Sequence, residues 1–290
     1  MLPEQLEEVL RNPREFRFGD YITDAFDIVK KGIGAFTGFF VLIFGALILG
    51  YVAILVPIIG IFATAKDDKA QLLAQLPLIG ALFIAFLVAI VVLGTPLFMG
   101  AAIVAHRIKN GQAYTFSTFF EGFKDFGTLL TSTLLVIALG ILCSAPYTYY
   151  MYNFFGGSEL FTNTEAALKE IPEIMKERNT LIEYGLQIPQ YIVSTLFVFS
   201  AYLIVFFRLG AIDALCTSVR LVMPKFGWIF IFNLVIGFIS SFTVILCCIG
   251  LVVGMAFYVS SFYACFAQQT GLNDTTDIDT DDTTRHFVNL

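Results

Sequence analysis

Side chains able to do chemistry are few in this chain and poorly spaced for it. There are two histidines, His106 and His286, and neither has the HExxH or HxxxH partner that a zinc site would use. No GxSxG elbow, Walker loop or dinucleotide fingerprint occurs. The five cysteines are Cys143, Cys216, Cys247, Cys248 and Cys265, and no two form a CxxC pair. The adjacent Cys247 and Cys248 invite a metal or redox reading, but no histidine or second pair accompanies them. Small polarisable residues packed between helices are the alternative. Asp277, Asp279 and Asp281 imitate the opening of a calcium loop. Asp282 then stands where glycine is needed, and Val288 where the closing glutamate belongs. These patterns predict no catalytic residue, no metal ligand and no cofactor.

One polar group falls inside an apolar run: Asn233, Ser240, Ser241 and Thr243. It could line an intramembrane polar site or serve hydrogen bonds between helices. No acid lies well inside any apolar run, which argues against a proton-coupled relay. Arg208 is the most deeply placed base and can snorkel to an interface.

Composition explains this scarcity. Apolar residues make up 58% of the 290 and charged ones 14%, against roughly 25% charged in soluble domains. The charges cluster, leaving runs of roughly 20 residues or more without one, each able to cross a bilayer as a helix. Six spans are expected: about Ile33 to Ala65, Leu78 to Ala105, Phe126 to Tyr152, Pro189 to Phe207, Phe226 to Cys248 and Leu251 to Ala267. Pro57 predicts a kink, tilt or protruding end in the first. The charged first 32 residues and the length of the first apolar run do not fit a cleavable signal peptide.

Arg11, Arg14, Arg17, Lys30, Lys31, Arg107, Lys109, Lys124, Arg208, Arg220, Lys225 and Arg285 flank one side of these spans. Lys66, Lys69, Lys169, Lys176 and Arg178 flank the other. The imbalance predicts that both termini face the cytoplasm. Tyr147, Tyr149, Tyr150 and Tyr152 gather at the expected outer end of span three, and Trp228 at the inner end of span five. No basic patch suits a nucleic acid.

Three spans have similar lead-ins. In FSTFFEGFKDFG, the residues Phe116, Phe119, Phe120, Phe123 and Phe126 make one stripe on an α-helix, with Glu121, Lys124 and Asp125 off it. Before span one, Ile22, Ala25, Phe26, Val29 and Ile33 keep the pattern; before span five, Ile212, Leu215, Cys216, Val219 and Met223 do. From Ile22 to Phe116 is 94 residues and from Phe116 to Ile212 is 96. Such spacing marks an internal repeat: a surface-lying amphipathic helix followed by a hairpin, three times, in parallel. The alternative is that any span entered from the cytoplasm tends to have a basic, amphipathic lead-in. The expected fold is therefore an all-α polytopic transmembrane bundle of six helices with three interfacial amphipathic helices. An N-terminal arm covers 1–20 and repeat units cover about 21–105, 115–210 and 211–268 of a membrane domain spanning 21–268.

The segments FRFGDYITDAFDIVKKGIGAF, FSTFFEGFKDFG and DALCTSVRLVMPKFGWIFIF resemble a bacterial multi-helix membrane domain. That domain is found fused to some glycerophosphoryl diester phosphodiesterases and also in free-standing relatives. Asp213, Ala214, Leu215, Ser218, Lys225 and Trp228 match its late pattern. The resemblance covers most of residues 17–268 and implies an integral helical membrane domain with little established chemistry. The chain departs from it in a long segment before span four, and has no room for the phosphodiesterase barrel.

Small residues at four-residue spacing, Gly34 and Gly38, Ala81, Ala85 and Ala89, and Gly250 and Gly254, read as packing stripes within the bundle, with oligomer contacts as the alternative. Pro96 and Pro146 bend helices or line a cavity. Residues 156–188 read as an outer helical cap with Leu181 and Ile182 on its apolar face, and 269–290 as a disordered acidic tail. Either could dock a protein partner. The functional expectation is a non-enzymatic inner-membrane protein in assembly, scaffolding or envelope lipid organisation. Lys30, Lys31, Lys124, Arg220, Lys225 and Trp228 would meet membrane lipid head groups. A channel or carrier for an apolar or zwitterionic solute is the alternative.

Overall fold

The computed structural model describes residues 2–64, 69–154, 180–245 and 247–273, and side chains within those outside 61–76 and 242–249. Among them every regular element is helical. The order is α1 (Glu4–Arg11), α2 (Phe18–Thr64), α3 (Lys69–Lys109), a 3-10 segment (Phe116–Asp125), α4 (Phe126–Phe154), α5 (Thr180–Leu196), α6 (Ser200–Phe207), α7 (Ala211–Val222), a 3-10 turn (Met223–Lys225), α8 (Phe226–Ile245) and α9 (Cys247–Thr270).

Six stretches among the described residues are long and apolar enough to cross a membrane. They are Phe18–Gly60, Pro77–Lys109, Phe116–Phe154, Thr180–Phe207, Ala211–Ser241 and Gly250–Thr270. The protein is an all-α, multi-pass membrane bundle. Its helices run unbroken through Pro57, Pro77, Pro96 and Pro146.

Polar contacts show that the spans alternate in direction. The start of α2 meets the end of α3 where Lys109 pairs with Asp24 at 2.5 Å. Arg208, just past α6, pairs with Asp125, just before α4, at 2.6 Å. Lys225, just before α8, reaches Gln269 near the end of α9 at 2.9 Å. Gln5 of α1 donates to the Gly271 carbonyl at 2.8 Å. All these groups therefore lie at one end of the bundle, the α1 end.

The tight core sits in that half. Its largest fully buried side chains include Tyr21, Phe36, Phe39, Phe119, Phe232 and Tyr263. Phe39 and Phe119 stack at 4.1 Å, and Phe232 takes the edges of Phe18, Tyr21 and Phe262. The opposite half leaves Leu49, Ile84, Ile141 and Leu142 exposed. In hydrocarbon an outward leucine carries no penalty, so packing there is set by shape and hydrogen bonds rather than by hydrophobic collapse.

Several details differ from the sequence expectations. The lead-in and span of the first unit form one helix, because nothing between Phe18 and Ile33 breaks the α-helical pattern. The second lead-in is a 3-10 helix, and the third is a separate α-helix followed by a 3-10 turn. Span four is broken, with a turn at residues 197–199 between α5 and α6. Gly34 and Gly38 are exposed, and a methyl group added at either would find no atom within 4 Å; Ala81, Ala85 and Ala89 are exposed too. Those two stripes do not pack inside the chain, whereas Gly250 and Gly254 are buried. Gly32, not part of a stripe, is a tight position in α2, held against the Ile108 side chain.

Most of the expected outer cap lies outside the described residues. Its last part, from Thr180, belongs to α5, where Leu181 is 83% exposed rather than packed on the bundle. At the C-terminal end, Gln269 and Thr270 are buried members of α9. Residues 271–273 form the turn after it, and 274–290, with the aspartates, lie outside the described residues.

Candidate functional site at the α1 end

The 3-10 segment is positioned by two glycines and one arginine. A side chain at Gly100 of α3 would overlap the Phe119 carbonyl, and one at Gly122 would overlap the Pro96 carbonyl. The two backbones thus touch, and only glycine permits that approach. Arg107 grips the segment, donating through Nη2 to both Glu121 oxygens at 2.8 Å and through Nη1 to Thr118 Oγ1 at 3.1 Å. Thr115 and Thr118 exchange a capping box at its start. The contacts at Thr118 and Glu121, and at Phe119 and Gly122, repeat every three residues. This is the 3-10 period, in which side chains three apart eclipse. It replaces the α-helical stripe expected there: Phe119 is buried, while Phe116 and Phe120 remain exposed.

A polar seam joins α2, α3 and α9. Asp24 accepts from Lys109 through Oδ1 and from Gln268 through Oδ2, at 3.2 Å for the latter. Gln269 donates to the Tyr21 hydroxyl at 2.6 Å and to the Glu15 carbonyl at 3.2 Å, while its oxygen accepts from Lys225. Both amide donors of Gln269 and one lone pair of its oxygen are thereby used. Tyr263 has one proton to give. Donating it to Asn273 Oδ1 at 3.2 Å makes His106 Nδ1–H the donor to Tyr263 at 2.8 Å. Asn110 Nδ2 lies 3.2 Å from His106 Nε2 and 3.3 Å from Nδ1. The imidazole thus bridges α3 and α9.

The break in span four is closed by α7. Ser218 Oγ donates to the Leu196 carbonyl at 2.8 Å and accepts from the Phe199 N–H at 3.3 Å, and Ser200 Oγ caps the Phe197 carbonyl at 2.7 Å. Backbone freed inside a membrane protein must find partners of this kind. Arg208 ends α6 at φ 54°, in the left-handed region, and its Nη1 donates to both oxygens of Asp125 at 2.6 Å.

The sequence-predicted residues fall into three groups. Lys30, Lys31 and Arg220 are exposed, as is Lys124, which approaches Glu121 at 3.9 Å. Lys225 is half-buried and held by Gln269. Trp228 is exposed, with Phe16 stacked on it at 6.3 Å. The polar group of span five does not converge. Asn233 donates to Thr195 of α5 at 3.4 Å, Ser240 reaches the Gly254 carbonyl of α9 at 3.5 Å, and Ser241 bonds within its own helix to Gly237. The side chain of Thr243, like those of Cys247 and Cys248, lies outside the described ones. No known family model, curated protein or solved structure matches this chain.

Sequence reasoning missed the residues that organise this end: Asp24, Gly100, Arg107, Glu121, Ser218 and Gln269. GTPLFMG does signal an irregularity there. Its Gly100 receives the backbone of the 3-10 segment. Among the described residues, no three His, Cys, Asp or Glu side chains converge as metal ligands would.

Proposed function

We propose that this protein is a non-enzymatic component of a bacterial inner membrane that organises envelope lipid or scaffolds an assembly there, with its α1 end in the cytoplasm. The resemblance to the membrane domain fused to phosphodiesterases belongs to this proposal, as do the threefold repeat and the orientation. One observation carries the reading. At the α1 end the interior charged groups are matched to partners, while Phe116 and Phe120 stay exposed on the segment of exposed Lys124, Ile212 on the helix of exposed Arg220, and Met223 and Trp228 just beyond it. Exposed aromatic and aliphatic side chains interleaved with cations suit the boundary between acyl chains and anionic head groups.

The test replaces Lys30, Lys31, Lys124 and Arg220 by glutamine and measures the anionic lipid that co-purifies. Each cation near an anionic surface contributes about 1 kcal/mol, so enrichment should fall about tenfold or more. Unchanged enrichment would refute the reading. Lys225→Gln belongs in a separate variant, because that ammonium also holds Gln269. The broken span four favours a second reading, a carrier for an apolar or zwitterionic solute, since interrupted helices mark substrate paths in many transporters. Solute flux in proteoliposomes would support that reading, and its absence across a solute panel would remove it.

A further inference from the structure

We infer that a cleft on α7 holds the head group of a zwitterionic phospholipid, with its ammonium against Asp213 and its phosphate against Arg220. This rests on the lipid-facing reading above and specifies a lipid class for one place on it. The cleft encloses about 310 Å³ and is lined by Leu2, Leu209, Asp213, Cys216, Thr217 and Arg220. That is the lower end of the range for small-ligand sites, roughly 300–1,000 Å³.

Charge selects the occupant. Asp213 and Arg220 are seven residues apart on one helix face, about 10.5 Å along the axis at the α-helical rise. They are too far apart to pair directly, and both are exposed. At this end Asp24 is joined to Lys109, Glu121 to Arg107 and Asp125 to Arg208, while Asp27, Lys30 and Lys31 of α2 are exposed. Among the described residues Asp213 and Arg220 have no such partner. The charged side chains lining this cleft are one carboxylate and one guanidinium, which matches a head group carrying both signs; Arg220 also lines the neighbouring cleft beside Arg14 and Lys225, which favours the phosphate at that end. An ammonium with N–H bonds can donate to Asp213; a trimethylated one cannot. The surroundings point to a lipid rather than a free solute. Ile212, Met223 and Trp228, on the same helix and the corner that follows it, are 68%, 60% and 60% exposed, and Leu2 and Leu209 supply apolar walls.

Asp213 and Arg220 also sit in the first and last turns of α7, where each complements the helix dipole. That role affects stability and not head-group choice, so selectivity is the decisive readout. The full-length protein is purified in nanodiscs containing equal phosphatidylethanolamine, phosphatidylcholine and phosphatidylglycerol, and the retained lipids are quantified. The wild type should retain the ethanolamine lipid about threefold over the choline lipid, the scale of an exposed ion pair. Asp213→Asn, which keeps an acceptor oxygen but no charge, should lower that ratio, and Asp213→Glu should restore it. Arg220→Gln should lower retention of both zwitterionic lipids together.

A wild-type ratio of one, or an undiminished ratio in Asp213→Asn, overturns the proposal. Displacement of the lipid by soluble glycerophosphoethanolamine at millimolar concentration overturns the lipid assignment in favour of a free solute. Neutralising Lys30, Lys31 and Lys124 alone should cost anionic lipid while leaving the ethanolamine preference intact. The general reading and this site can therefore fail separately.

Discussion

Arg208 shows how a single residue is set by two opposing demands. A left-handed conformation costs a non-glycine residue roughly 1–2 kcal/mol, and glycine is the usual choice just past a helix end. Arginine is kept in that position by a two-oxygen ion pair with Asp125, whose side chain is 19% exposed. Alanine at 208 would lose the ion pair and keep the backbone strain, whereas glycine would lose the ion pair and relieve the strain. Arg208→Ala should therefore be less stable than Arg208→Gly by about 1 kcal/mol, measured by thermal unfolding in detergent. Equal stabilities would mean the left-handed conformation does not persist. Neither the strain nor the pairing was legible in sequence, since Asp125 and Arg208 are 83 residues apart.

Among the elements, the 3-10 segment departs most from its sequence pattern. Four of the five phenylalanines spaced for an α-helix, Phe116, Phe119, Phe120 and Phe123, are drawn instead into a tighter winding by contact with α3. Runs of 3-10 helix beyond three or four residues are uncommon because their hydrogen bonds are poorer. Here the loss is offset by the backbone approach at Gly100 and Gly122 and by the Arg107 clasp. Gly100→Ala should separate the two backbones and cost about 1–3 kcal/mol, as overpacking does. Gly127→Ala, where the new methyl would meet open space, should be nearly neutral. Equal melting of the two variants would show that the close approach is not what holds the segment. An apolar stripe in each of the three lead-ins was legible in the residues. Their helix types were not, because tertiary contact overrides local periodicity when the energy difference between windings is small.

At the scale of the whole molecule, the N-terminal arm is part of the structure rather than a loose extension. Leu6 and Val9 are buried, Gln5 bonds Gly271, and Phe16 lies among Tyr21, Phe232 and Trp228. Gly271, at φ 69°, lets the Arg14 guanidinium lie close against the turn after α9. Phe16→Ala should reduce stability by about 1–3 kcal/mol, below the figure for a fully buried phenylalanine. It should also shift the emission of Trp228, the only tryptophan, toward that of a more solvated indole. Unchanged emission and melting would show that the arm does not cover this corner.

What the amino-acid sequence determined by itself was the solvent: six apolar runs long enough for a bilayer leave no other home, and hydrocarbon forces the backbone into helices. It also showed which locally spaced motifs do not occur, because such spacing is read directly from the chain. Only the tertiary structure decided which charges are joined and which stay open. It matched Lys225 to Gln269, Arg107 to Glu121 and Asp24 to Lys109, and left Asp213 and Arg220 facing a cleft. Most of those choices join residues from different elements, far apart along the chain, and no period or composition carries that information.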